Sequence, residues 1–153
     1  MVQKEATAMF IGHRECYEMD RQQLRKEIIC LIEKGVTTFL SGGMGQFDAV
    51  CEGIVADLKS IYPHVELFII APYVNFKPKH TLHADLIVFP DGFEQYHPKS
   101  AIQHRNRYMA DRSSFALCYV KYSWGGAAQT LAYVKKQGIA CIDIPDRTLE
   151  DFQ

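Results

Sequence analysis

Apolar and polar positions switch repeatedly between a two-residue and a 3.6-residue period, which predicts strands alternating with helices. Ala6 to Ile11 is a short apolar run closed by Gly12-His13-Arg14, and it reads as a first strand ending in a turn. From Asp20 to Lys34, Leu24, Ile28, Leu31 and Ile32 share one face and Arg21, Arg25, Lys26 and Glu33 the other, as in an amphipathic helix. Asp20 is placed to cap its start, and Gly35 to end it in a left-handed conformation. Val36 to Leu40 follows as a buried strand, and Ala49, Val50, Gly53, Ile54 and Leu58 recur at helical spacing. Val65 to Ala71 is a third strand, stopped by Pro72. The stretch from Pro72 to Pro98 holds four of the six prolines and reads as irregular. Within it, a helical turn around Lys79 to His83 leads into a fourth strand, Ala84 to Phe89. Ser100 to Arg112 is helical, and Phe115 to Val120 is apolar enough for a strand buried on both faces. A helix through Leu131, Val134 and Lys135 closes at Gly138, and Ile139 to Ile144 is the last strand.

This order predicts an α/β protein with a mostly parallel sheet of about six strands and helices on both faces, a three-layer sandwich. The 153 residues suffice for one domain with its own core. Hydrophobic residues at 48% and charged residues at 23% fit a globular chain. No apolar run reaches membrane-spanning length and the N-terminus lacks a signal-peptide pattern, so a cytoplasmic protein with no membrane partner is expected. The five cysteines, Cys16, Cys30, Cys51, Cys118 and Cys141, contain no C-x-x-C pair and are expected to be reduced. His80 and His83, three apart, lack further ligands at firm spacing, so no metal is expected. With a formal charge of −1 and no basic run, the chain carries no electrostatic footprint of a polyanion, and nucleic acid is not expected as a partner.

The chemistry concentrates where predicted strands end. After the second strand comes Ser41-Gly42-Gly43-Met44-Gly45-Gln46-Phe47-Asp48, and after the fifth Ser123-Trp124-Gly125-Gly126 followed by Thr130. Both loops open helices, whose unpaired N–H groups and partial positive charge attract anions. Either loop alone could be a plain connecting turn. Two of them at strand carboxyl ends favour a shared pocket. His13 could donate to a ligand there and Arg14 could hold a phosphate or carboxylate, unless they are simply loop residues. Arg105 and Asn106 either lie on a solvated helix face or point at the same ligand. Asp91 to His97 is a candidate rim or lid. Leu24, Ile28 or Tyr17 could serve a homo-oligomer contact, or belong to the chain's own core.

These motifs resemble the YpsA-like family. They are Gly12-His13-Arg14, Ser41-Gly42-Gly43-Met44-Gly45-x-Phe47-Asp48, Arg105-Asn106-x-Tyr108-Met109-x-Asp111, and Gly125-Gly126 with Thr130. That family lies in the SLOG superfamily, with the DNA-processing protein DprA (Smf) and the lonely-guy phosphoribohydrolases as relatives. The resemblance implies a modified Rossmann fold whose glycine loops hold a nucleotide-derived ligand such as NAD, ADP-ribose or a nucleoside monophosphate. Gly42, Gly43 and Gly45 would line its phosphate or ribose side, Gly125, Gly126 and Thr130 the opposite side, and Gly12, His13 and Arg14 the floor or mouth. Lonely-guy enzymes also carry a glutamate one turn into the helix after a glycine loop. Here Thr130-Leu131-Ala132-Tyr133 has no acid, and Asp48 is the nearest carboxylate. Asp48 could assist cleavage of an N-glycosidic bond or merely favour a helix N-terminus. A sensor or signalling module that binds its ligand is the leading expectation, an N-glycosidase the alternative, and DNA binding of the DprA type the third.

Overall fold

A computed structural model describes residues 2–78 and 83–148. Six strands form one all-parallel sheet: β1 (Thr7–Gly12), β2 (Thr38–Ser41), β3 (Glu66–Ile70), β4 (Leu86–Val88), β5 (Phe115–Tyr119) and β6 (Ala140–Asp143), in the order β4-β3-β2-β1-β5-β6. Four helices connect them: α1 (Arg21–Glu33), α2 (Gln46–Leu58), α3 (Pro98–Asp111) and α4 (Gly126–Lys136). The expected three-layer α/β sandwich is therefore what the chain forms.

The alternation of side chains along β1 shows why two layers of helix are needed. Ala8 and Phe10 join α1 and α2 through Leu24, Ile28, Phe47, Cys51 and Val55, while Met9 and Ile11 join α3 and α4 through Met109, Ala110 and Val134. With both faces covered, β1 from Ala8 to Ile11 and β5 are predominantly apolar, and Met9 lies between Leu40 of β2 and Ala116 of β5. The edges differ. Leu86 and Ile87 of β4 are exposed, as is Ala140 of β6.

Several boundaries have the anticipated cause. Asp20 accepts the N–H of Gln23 at 3.0 Å and so caps α1, and Gly35 beyond its end has φ 110°. Leu24 and Ile28 are fully buried in the chain's own core, whereas Tyr17 is exposed. All five cysteines are free thiols, and burial raises those of Cys16, Cys51, Cys118 and Cys141. The turn expected around Lys79 to His83, and with it the His80–His83 pair, falls mainly outside the described residues. Among the described residues no cluster of three potential metal ligands exists, and no helix is long and apolar enough to cross a membrane.

The order of the strands locates the site. From β1 the chain runs outward through β2, β3 and β4, then returns through α3 to the far side of β1 as β5. The connections leaving β1 and β5 diverge to opposite faces, and a crevice opens beyond their carboxyl ends.

Candidate functional site

The crevice is a cavity of about 270 Å³ lined by the ends of β1, both glycine loops and the polar face of α3. Of the residues expected at a site, Gly12, His13, Arg14, Gly42, Gly45, Asp48, Arg105, Asn106, Gly126 and Thr130 line it. Segments more than eighty positions apart thus form walls of one pocket. Ser41, Gly43, Phe47 and Gly125 do not line it. Phe47 is fully buried beneath Gly12, where a β-carbon would come within 2.2 Å of its ring. The 91–97 stretch also lies away from the cavity. It contains a 3₁₀ turn, Phe93–Gln95, whose Phe93 packs on Tyr108, while Tyr96 stacks on His104.

Arg105 is buried rather than solvated, and although it lines the cavity its polar atoms are engaged by the chain itself. It is 3% exposed, and its Nη1 donates to the carbonyls of Gly42 and Ile70, both at 2.8 Å. Nη2 rests 3.2 Å from the Met44 sulfur, and Nε donates to Asn106 Oδ1 at 2.9 Å. Burial lowers the guanidinium to about 10, against the favourable charge of Asp48, so it stays a cation at neutral pH. The side chain joins the first glycine loop to the end of β3. A β-carbon at Gly42 would lie 3.0 Å from Arg105 Cζ, so the loop passes closely over the guanidinium.

The same loop has little left to offer a ligand. The Gly43 N–H donates to Ser41 Oγ at 3.2 Å, and the Met44 N–H to Asp48 Oδ2 at 3.2 Å. At the start of α2, the Gln46 N–H donates to the Arg14 carbonyl at 3.0 Å and the Phe47 N–H to that of His13 at 3.4 Å. Burial raises the Asp48 carboxyl, opposed by the Met44 and Gly45 amides and the Arg105 charge. Beneath it Glu52, 1% exposed, accepts the Ser41 hydroxyl at 2.5 Å, and burial raises its carboxyl to about 7. Sequence reasoning missed Glu52. The signal was present: it occupies an otherwise apolar stripe with Cys51, Val55 and Leu58, one turn beyond Asp48.

The second loop is arranged differently. Gly125 precedes α4 with φ 91° and ψ 179°, a conformation essentially confined to glycine. No side chain caps this helix, and the N–H groups of Gly126, Ala127 and Ala128 find no acceptor among the described residues. Asn106 Nδ2 donates to Thr130 Oγ1 at 3.0 Å, and that hydroxyl donates to the Gly126 carbonyl at 3.0 Å. These bonds tie the first turn of α4 to α3 and leave its amides unoccupied. His13 closes the same side. Its Nε2 accepts the Lys121 N–H at 2.7 Å, while burial and the Lys121 charge lower its pKa, so the ring is neutral with Nδ1–H as its donor.

Solved structures with this architecture include DNA processing protein A from Streptococcus pneumoniae, at a TM-score of 0.67 and 16% identity over 97% of this chain. The chain has a Rossmann-like fold similar to the matched part of DNA processing protein A. A second neighbour, DNA processing protein A from Helicobacter pylori, aligns at a TM-score of 0.64 and 14% identity over 95% of this chain, in a structure that describes that protein's single-stranded DNA binding mode. The chain spans 52% of the Streptococcus pneumoniae protein and 68% of the Helicobacter pylori one. No family model matches the chain, and no curated protein matches it significantly. These neighbours overturn the expectation that nucleic acid is not a partner, because a protein of this fold binds single-stranded DNA. That expectation rested on net charge, a sum over the whole chain, to which backbone N–H groups at a helix start and aromatic faces contribute nothing.

Proposed function

We propose that the crevice binds a phosphate-bearing nucleotide unit, free or within single-stranded nucleic acid, with the phosphate at the start of α4. The observation that carries this reading is the set of unoccupied N–H groups at Gly126, Ala127 and Ala128 on a helix that opens into the cavity. Arg14 supports it from the rim: its exposed guanidinium makes no ion pair among the described residues, and the residue lines the pocket. The four ordered motifs support kinship with the YpsA-like family within the DNA processing protein A fold.

Cleavage of an N-glycosidic bond would require a carboxylate free to act as acid or base. Asp48 Oδ2 is engaged with the Met44 amide, which favours a role in shaping the loop, so binding is the better reading.

Ala127→Asp tests the proposal. A carboxylate in the first turn of α4 suits the helix dipole but repels a phosphate from the same amides; because Ala127 packs partly on the core, circular dichroism and the melting temperature of the variant are measured alongside to show that it is folded. Fluorescence anisotropy with a labelled single-stranded oligonucleotide and competition by a nucleoside monophosphate should show affinity reduced about ten-fold or more, since about 1.4 kcal/mol is one decade. Unchanged affinity would remove α4 from the site.

A further inference from the structure

Beside the crevice three aromatic rings form a ledge that the core does not account for. His13, in the pocket wall, lies 4.8 Å from the Tyr122 ring, and Tyr122 stacks on Trp124 at 4.7 Å with 10° between the planes. Tyr122 is 51% exposed and Trp124 69%. Neither belongs to a core cluster, and among the described residues Tyr122 is the only ring that Trp124 meets. Tyr122 stacks on one face of the indole, and most of the Trp124 surface is still exposed. Large exposed aromatic surface beside a polar cavity marks a binding surface more often than a packing accident.

The ledge is also held in place. The Lys121 N–H fixes the His13 ring, and the Lys121 ammonium pairs with Asp146, which also accepts the Tyr119 hydroxyl. At the other end, the glycine-only backbone of Gly125 sets the step from Trp124 into α4. The ledge therefore begins in the pocket wall and ends immediately before the unoccupied amides.

Size completes the argument. About 270 Å³ falls just below the roughly 300–1,000 Å³ usual for small-molecule pockets, and a phosphate with its sugar would take up much of it. A base attached to that sugar has to lie outside. Every base has a π-face, so stacking on an aromatic platform is independent of its identity.

We infer that the Trp124–Tyr122 ledge stacks an unpaired nucleobase whose sugar-phosphate occupies the adjoining crevice. The inference rests on the proposed phosphate site and adds the recognition element for the base. Duplex DNA, with its base faces covered, does not fit the ledge.

Trp124 is the chain's single tryptophan, so its fluorescence reports on the ledge directly. The full chain is titrated with a short oligothymidylate, an abasic oligonucleotide of equal length, a blunt duplex, and thymidine 5′-monophosphate, while anisotropy follows labelled versions of the polymers. The expected result is saturable quenching by the single strand, with affinity about ten-fold above that of the abasic strand. Trp124→Ala should bring the single strand down to abasic affinity, and Trp124→Phe should retain most of the difference. Saturating quenching by the monophosphate as well would identify a free nucleotide as sufficient, whereas quenching by the strand alone would identify the polymer. Equal binding of base-bearing and abasic strands without quenching overturns the ledge and leaves the phosphate site standing, as does equal quenching by the duplex. Binding of neither strand nor monophosphate overturns the phosphate site, and the ledge with it.

Discussion

The two glycine loops look alike in sequence and stand on opposite walls of one cavity, yet one is satisfied from within and the other is not. In the first, Ser41, Asp48 and the carbonyls of His13 and Arg14 take the amides of Gly43, Met44, Gln46 and Phe47, and buried Arg105 takes the Gly42 carbonyl. In the second, Gly125 turns the chain sharply and the first three amides of α4 stay unoccupied. Glycine-rich turns before helices are thus not interchangeable. The side chains around them decide which amides remain for a ligand, and here Asp48 occupies from inside the place an external anion would take.

The largest consequence falls on the anchored loop. Arg105→Ala leaves two buried carbonyls without a donor and should cost about 4 kcal/mol of stability in urea unfolding. Arg105→Lys should recover less than half, since an ammonium cannot reproduce the planar fork. The nearest counterpart across the pocket is Gln103, whose Nε2 reaches the Gly126 carbonyl at only 3.5 Å. Gln103→Ala should stay within about 0.5 kcal/mol of the parent. Similar losses in both variants would erase the distinction between the loops.

Next comes the acid beneath the first loop. With its carboxyl raised from an ordinary 4.5 to about 7, Glu52 holds a proton in the folded protein that the unfolded chain releases between those values. Its contribution is fully present below about pH 4.5 and falls by roughly 3 kcal/mol as the pH rises to about 7. Asp48, also raised, adds in the same sense. Glu52→Gln keeps an acceptor for Ser41 and should flatten the Glu52 part of that fall, as seen by comparing unfolding midpoints at pH 5 and pH 8. A slope identical to wild type would mean that Glu52 titrates normally.

A smaller effect belongs to the open loop. Gly125→Ala strains the turn by about 2 kcal/mol and shifts Trp124 relative to Tyr122. Its signature is a changed Trp124 emission maximum together with a modest fall in melting temperature. An unchanged spectrum would detach the ledge from the turn.

Much of the frame was legible in the chain. Periodicity located the six strands and four helices seen among the described residues, because burial on one or both faces of an element repeats at its own period; Asp20 and Gly35 marked the ends of α1 because capping is local. Partner choice was not legible. Arg105 bonds carbonyls 63 and 35 residues away, a pairing that only the folded sheet creates. Asp48 lies four residues from the Met44 amide it accepts, and nothing in the spacing says whether it serves that loop or a substrate. The charge count pointed away from nucleic acid because it sums lysines, arginines and acids, whereas the Helicobacter pylori neighbour shows that a protein of this fold can bind single-stranded DNA. The aromatic ledge was hidden as well: Trp124 stood in the second glycine loop, but nothing in the spacing shows that it stacks on Tyr122 beside His13.

Amide chemical shifts test the account most directly. Uniformly ¹⁵N-labelled protein is titrated with a short single-stranded oligonucleotide. The Gly126, Ala127 and Ala128 cross-peaks are expected to move together and saturate, while those of Gly43, Met44 and Gln46 hold nearly still. Movement concentrated at Gly43, Met44 and Gln46, with the start of α4 unperturbed, would contradict it.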